Sequence, residues 1–247
     1  MSTDRYLNLF YSYNRDNELI ENNLTRAFIV TLQTIEPATS QAMLQRLVRG
    51  PLESTGFECP SFSNVQYALQ GHIDRALIVD YSGFVLAIAT DHVLPGDEIA
   101  PDAATRASSI PDAWVIADSD RCCFLIESKI GGNPLDDEQL RQHAAGWLGI
   151  SEGEFKKRLL SISWFQVLGV VEQVLDEVRT GLIVNRQERL ILSAMAEFLG
   201  YCNYRLFRGF NFSSLRSAPA ATVHWPDQVL RFDLGSLAPS PAFTLAR

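Results

Sequence analysis

The stretch IPDAWVIADSDRCCFLIESK, residues 110–129, constrains the fold more than any other part of the chain. Two apolar runs, 113–117 and 122–126, flank a short polar segment. Runs of that length bounded by polar residues predict two strands joined by a turn. Asp118 and Asp120 then read as turn formers. Charge collects at the other end of the hairpin, as Pro111-Asp112 before the first strand and Glu127-Ser128-Lys129 after the second. In an antiparallel hairpin the start of the first strand lies beside the end of the second. Asp112 is therefore expected near Glu127 without any long-range assumption. Glu127 and Lys129 are two residues apart, so both leave the same face of the strand, and Ser128 points the other way. The plain reading of these residues is a turn aspartate and a solvated strand-end ion pair worth little.

Around this hairpin the chain alternates between helical and strand patterns. Residues 14–35 carry apolar positions at helical spacing, with Pro37 as the stop. A second helix is expected over 40–48, ending at Gly50-Pro51. Residues 66–69, 75–79 and 84–89 read as strands, the last two around a Tyr81-Ser82-Gly83 turn. Asp136 is a plausible N-cap for a helix over 137–148 bounded by Gly149. The apolar LLSISW predicts a further strand, and helices are expected over 165–178 and 185–199. The order is helix, strands, helix, strand, helices, which is that of a mixed α/β domain. Residues 1–212 are expected to form that domain, and 213–247, rich in Ser, Pro and Ala, an irregular extension with one strand over 229–234.

The four cysteines, Cys59, Cys122, Cys123 and Cys202, form no CxxC pair, which argues against a zinc site or a disulfide framework. The N-terminal residues lack a basic segment followed by an apolar one, and no apolar run approaches the roughly 20 residues of a membrane span. The expectation is a cytoplasmic chain with no membrane contact. A net charge of −8 argues against a simple nucleic-acid coat, yet carboxylate clusters that hold metal ions add negative charge of their own. His72 and Asp74 in GHID lack further ligands at suitable spacing and read as a polar loop. The aromatic segment Tyr201, Tyr204, Phe207, Phe210 and Phe212, with Arg205 and Arg208, reads first as packing and second as a platform for bases.

Two carboxylates and an ammonium at one sheet edge suit phosphodiester hydrolysis. Hard oxygen ligands can bind Mg²⁺, which also takes a substrate phosphate oxygen. The cation lowers the pKa of water and neutralises developing charge, and a lysine can orient or deprotonate that water. Pro111-Asp112 followed by Glu127-Ser128-Lys129, a PD-x14-ESK spacing, resembles the motif of the PD-(D/E)XK nuclease superfamily. Residues 17–27, NELIENNLTRA, resemble the first helix of such nucleases in bacterial restriction and phage-defence loci, and LDDEQLRQH at 135–143 resembles the helix after their catalytic strand.

The resemblance implies an αβββαβ restriction-endonuclease-like core from about residue 16 to 164, with a central mixed sheet flanked by helices. It implies a metal-dependent endonuclease acting on DNA in restriction or antiviral defence. Asp112 and Glu127 would be the main ligands of Mg²⁺, with Mn²⁺ able to substitute. The Ser128 carbonyl would be a third ligand, and Glu21, ahead of Glu18, would complete the acidic cluster. Lys129 would activate water and Gln139 would orient the site, with Arg141 or His143 near the phosphate backbone, although His143 by itself reads as a surface helix residue. Besides DNA, a homo-oligomer or other subunits of a defence complex stand as expected partners. The competing expectation is a catalytically silent nuclease-fold subunit that serves in binding or assembly, which the acidic charge favours.

Overall fold

The computed structural model describes residues 9–10, 18–70, 73, 75–90, 110–130, 135–179 and 185–204, of which 18–22 as backbone only, together with the backbone of three later strands. Helices α1 (Glu18–Thr34) and α2 (Pro37–Ser54) precede β1 (Val65–Leu69), a four-residue helix α3 (Arg75–Ile78) and β2 (Ser82–Ala89). The hairpin follows as β3 (Ala113–Ala117) and β4 (Cys122–Ser128), joined by a 3₁₀ turn over Asp118–Asp120. Then come α4 (Asp137–Leu148), α5 (Glu152–Arg158), β5 (Leu159–Ser163), α6 (Trp164–Arg179) and α7 (Arg186–Tyr201). The first five strands form one sheet in the order β1-β3-β4-β2-β5. β3 runs antiparallel to β1 and β4, and β2 runs parallel to β4 and β5, so the sheet is mixed.

Alternation along the strands divides the core into two layers. Phe84, Leu86 and Ile88 of β2 and Phe124 and Ile126 of β4 pack with Phe28 of α1, Met43 of α2 and Val167 of α6. Val85 and Ala87 of β2 and Cys123 and Leu125 of β4 pack with Leu140 and Trp147 of α4 and Phe155 of α5. Helices thus cover both faces, and β4 is buried along its whole length. Gly83 permits a close approach here, since a Cβ at that position would stand 3.0 Å from Leu148 Cδ2. All four cysteines are free thiols. Among the described residues no helix is long and apolar enough to cross a membrane.

Several elements differ from the sequence expectation. The 75–79 segment, read as a strand, opens with α3, closed by a Tyr81 N–H bond to the Ile78 carbonyl. A short apolar run fits a helical turn and a strand equally well. α2 starts at Pro37 rather than residue 40, because proline suits a first helical position whose N–H would have no partner. It then continues through Pro51, and fully buried Leu52 anchors its last turn. α5 was not expected. Its signal is its charge order, with Glu152 and Glu154 in the first turn and Lys156, Lys157 and Arg158 in the last, which opposes the helix dipole favourably.

The chain divides into two compact units, Met1–Leu206 and Phe207–Arg247. The second, taken by itself, contains an antiparallel sheet of β6 (Ala220–Trp225), β7 (Gln228–Asp233) and β8 (Phe243–Leu245). The segment read as irregular thus carries three strands rather than one.

Candidate functional site

The β3–β4 register pairs Ala113 with Ile126, and so brings Asp112 beside Glu127. Past the end of β4, the Lys129 N–H donates to the Ile88 carbonyl at 2.8 Å, and the Trp164 indole N–H donates to the Lys129 carbonyl at 3.0 Å. The backbone that carries Lys129 is therefore held from both sides. Parity sends Glu127 to the α4 layer, along with Leu125 and Cys123, and sends Ser128 to the α1 layer, along with Ile126.

The Glu127 side chain is almost fully buried, with a residue exposure of 2 %. Its Oε1 accepts a hydrogen bond from Gln139 Nε2 at 2.8 Å and lies 3.5 Å from Lys129 Nζ. Its Oε2 lies 3.3 Å from His143 Nε2 but makes no hydrogen bond. Gln139 and His143 are one turn apart on α4, so both reach the same carboxylate. The helix start is fixed by Asp136, which accepts from the Glu138 and Gln139 N–H groups, and its end by Gly149 at φ +67°.

Asp112 is half-buried. Its Oδ2 accepts from the Ser128 N–H at 2.9 Å and from the Ser128 hydroxyl at 3.0 Å. Because the one Ser128 hydroxyl proton points to Asp112, the Thr25 hydroxyl of α1 donates to Ser128 Oγ in turn. A relay of hydroxyls therefore ties α1 to the strand end. Burial pushes the Asp112 carboxyl up to about 6, and the Glu127 charge pushes the same way. The Ser128 hydrogen bonds and Lys129 pull in the opposite direction.

The structure brings Asp112, Glu127, Ser128, Lys129 and Gln139 together at one sheet end. Glu21 falls in α1 one turn before Thr25, and Glu18 two turns before it, but both side chains lie outside the described residues. His72, Asp74, Arg205, Phe207, Arg208, Phe210 and Phe212 also lie outside them. Tyr204 is described, and it packs buried against Trp164 and Phe165.

Sequence reasoning misjudged two residues of α4. His143, read as a surface residue, is 2 % exposed and faces Glu127. Its signal was the spacing of four from Gln139. Arg141 is also buried, pairs with Asp137 and Glu152, and lies 4.7 Å from the Phe155 ring centre. These contacts join α4 to α5. Thr25 and Trp164 carried no signal of a role at the site.

A divalent cation suits the oxygen donors of this cluster. Glu127 Oε2 is a buried carboxylate oxygen without a hydrogen-bond donor, the kind of group that a cation can satisfy. Among the described residues no group of three or more His, Cys, Asp or Glu side chains converges as a metal cluster. Glu21, which the resemblance would add as a third carboxylate, has its side chain outside the described residues. No protein-family model, curated protein or solved structure matches the chain.

Proposed function

We propose that the chain is a Mg²⁺-dependent nuclease of the PD-(D/E)XK type that hydrolyses DNA phosphodiester bonds internally, in restriction or antiviral defence. One observation carries the reading: Asp112 and Glu127 stand at adjacent ends of paired strands, and Lys129 Nζ is 3.5 Å from the Glu127 carboxylate on the same strand face. The element order gives further support. α1, then β2, β3 and β4, then α4 and β5 follow the expected αβββαβ succession, with α2, β1, α3 and α5 inserted.

In this reading Asp112, Glu127 and Glu21 hold the cation, with the Ser128 carbonyl as a further oxygen. When bound, the cation supplies charge neutralisation at the phosphate and acidifies water. Lys129 orients the attacking water and, in its neutral amine form, takes its proton. The new bond forms between water oxygen and phosphorus, the bond from phosphorus to the leaving sugar oxygen breaks, and that oxygen gains a proton. Gln139 holds Glu127 by its Oε1 and so fixes the direction of the other oxygen.

The net charge of −8 favours the competing reading, a silent subunit, because a free nuclease needs cationic surface to reach DNA. Plasmid incubation with Mg²⁺ or Mn²⁺, and with EDTA as control, separates the two. Metal-dependent loss of supercoiled plasmid is the expected result. Intact plasmid under every metal condition overturns the nuclease in favour of the subunit.

A further inference from the structure

The contact between Glu127 and His143 has an unusual chemistry. Gln139 Nε2 donates to Glu127 Oε1, and an amide nitrogen is the only side-chain atom of Gln139 that can do so. The same nitrogen lies 3.4 Å from His143 Nε2. The donor and acceptor roles there depend on the imidazole tautomer, and the tautomer with its lone pair on Nε2 is the one able to ligate a cation. At that distance the bond is weak. Glu127 Oε2 lies 3.3 Å from the same His143 Nε2 and makes no hydrogen bond. A buried carboxylate oxygen and an imidazole nitrogen therefore face each other, on residues that are each 2 % exposed. Burial without a proton or cation between them is costly.

We propose that His143 Nε2 is a nitrogen ligand of the cation that Glu127 holds, and that it sets the preference of the site for Mn²⁺ over Mg²⁺. The inference rests on the metal-binding part of the proposed function. The separation is suitable, because adjacent ligands of an octahedral ion with bonds near 2.0–2.1 Å stand about 3 Å apart. Position also agrees. Lys129 and Gln139 occupy the Oε1 side, which leaves the Oε2 side to a cation. Carboxylate and water oxygens suit Mg²⁺ and Mn²⁺ alike, whereas imidazole favours the transition metal. A site with one nitrogen among its oxygens therefore binds Mn²⁺ more tightly, and the difference belongs to His143.

The test is Mn²⁺ and Mg²⁺ binding by calorimetry, with pulsed EPR of the Mn²⁺ complex, on wild type, His143→Gln and Glu127→Gln. In the wild type, a ¹⁴N imidazole coupling to Mn²⁺ is expected, and histidine-selective ¹⁵N labelling should convert it to a ¹⁵N coupling. That arm needs no variant to fold. The chain's other three histidines remain in His143→Gln, so a coupling lost there belongs to His143. The same variant should weaken Mn²⁺ binding about tenfold or more and change Mg²⁺ binding much less. Mn²⁺ bound at a Glu127-dependent site without imidazole coupling overturns the inference and leaves the metal reading standing. No binding of either ion by the wild type, or binding unchanged in Glu127→Gln, overturns both.

Discussion

The two ends of the β3–β4 hairpin each carry a pair of carboxylates, and they differ in how those carboxylates are satisfied. At the turn, Asp120 accepts from the Ser61 N–H at 2.9 Å and from the Ser61 hydroxyl and Phe62 N–H at 3.0 Å. Asp118 accepts from Gln66 Nε2 and from the Tyr81 hydroxyl. These acids fasten the turn to the 61–66 segment and to Tyr81. At the open end, Asp112 is raised to about 6 and Glu127 keeps a buried oxygen without a donor. Native interiors rarely leave such groups unpaired, and perturbed acids concentrate where a ligand completes them. Acidic residues alone thus say little, and it is burial, with a Glu127 oxygen left without a donor, that marks the open end as the candidate functional one.

The largest expected effect breaks the open end alone. Glu127→Ala or Asp112→Ala should cut plasmid cleavage by about 10³-fold or more, the scale of losing a group that stabilises the transition state. Asp118→Ala should leave cleavage per folded molecule unchanged. Equal losses at both ends, with melting unchanged, would erase the distinction. Next in size is Lys129→Ala. Cleavage should fall by roughly 10²-fold, as for a lost acid–base group, while calorimetry shows metal affinity retained or increased. A Lys129→Ala protein that cuts at the wild-type rate would sink the catalytic assignment. Thermal melts give the folding control for every variant.

What the sequence made legible is what the hairpin makes local. Asp112, Glu127 and Lys129 follow from one register and one pleat, and no docking geometry is needed. Gln139 entered through the likeness of its helix to a family pattern, not through geometry. His143 and Arg141 could not be sorted without tertiary contacts, since either face of α4 might have met the sheet, and both proved buried. Thr25 was hidden for a similar reason. A threonine on an apolar helix face reads as packing until Ser128 is known to lie opposite. α3 was misread because four apolar-rich residues carry no usable period.

At the turn end the effect should be on stability. Asp120→Ala removes an acceptor of three hydrogen bonds and leaves the Ser61 and Phe62 N–H groups to solvent. Urea unfolding should show a loss of about 1–3 kcal/mol. Metal affinity should be unchanged, because the site lies at the far end of both strands. A weakened metal site in a folded Asp120→Ala protein would show that the two ends are coupled through the hairpin.

The smallest effect concerns pH and the Ser128 hydroxyl. Asp112 has an ordinary value of 3.8 and rises to about 6 in the folded chain. Between those values the folded state holds more of this proton than the unfolded state does. The Asp112 contribution to stability in the metal-free protein is therefore complete below about pH 4, falls as pH rises through 6, and is level above that. Asp112→Asn should remove this fall. Ser128→Ala should move it, because the Ser128 hydroxyl bond favours the charged carboxylate and so lowers the Asp112 value. Without that bond the midpoint should rise above 6, while the Ser128 N–H bond remains. Carboxyl-selective NMR titration of the metal-free protein measures it directly. An unmoved midpoint would mean that the Ser128 hydroxyl has no part in setting the Asp112 charge, and that the Thr25–Ser128 relay serves only to attach α1.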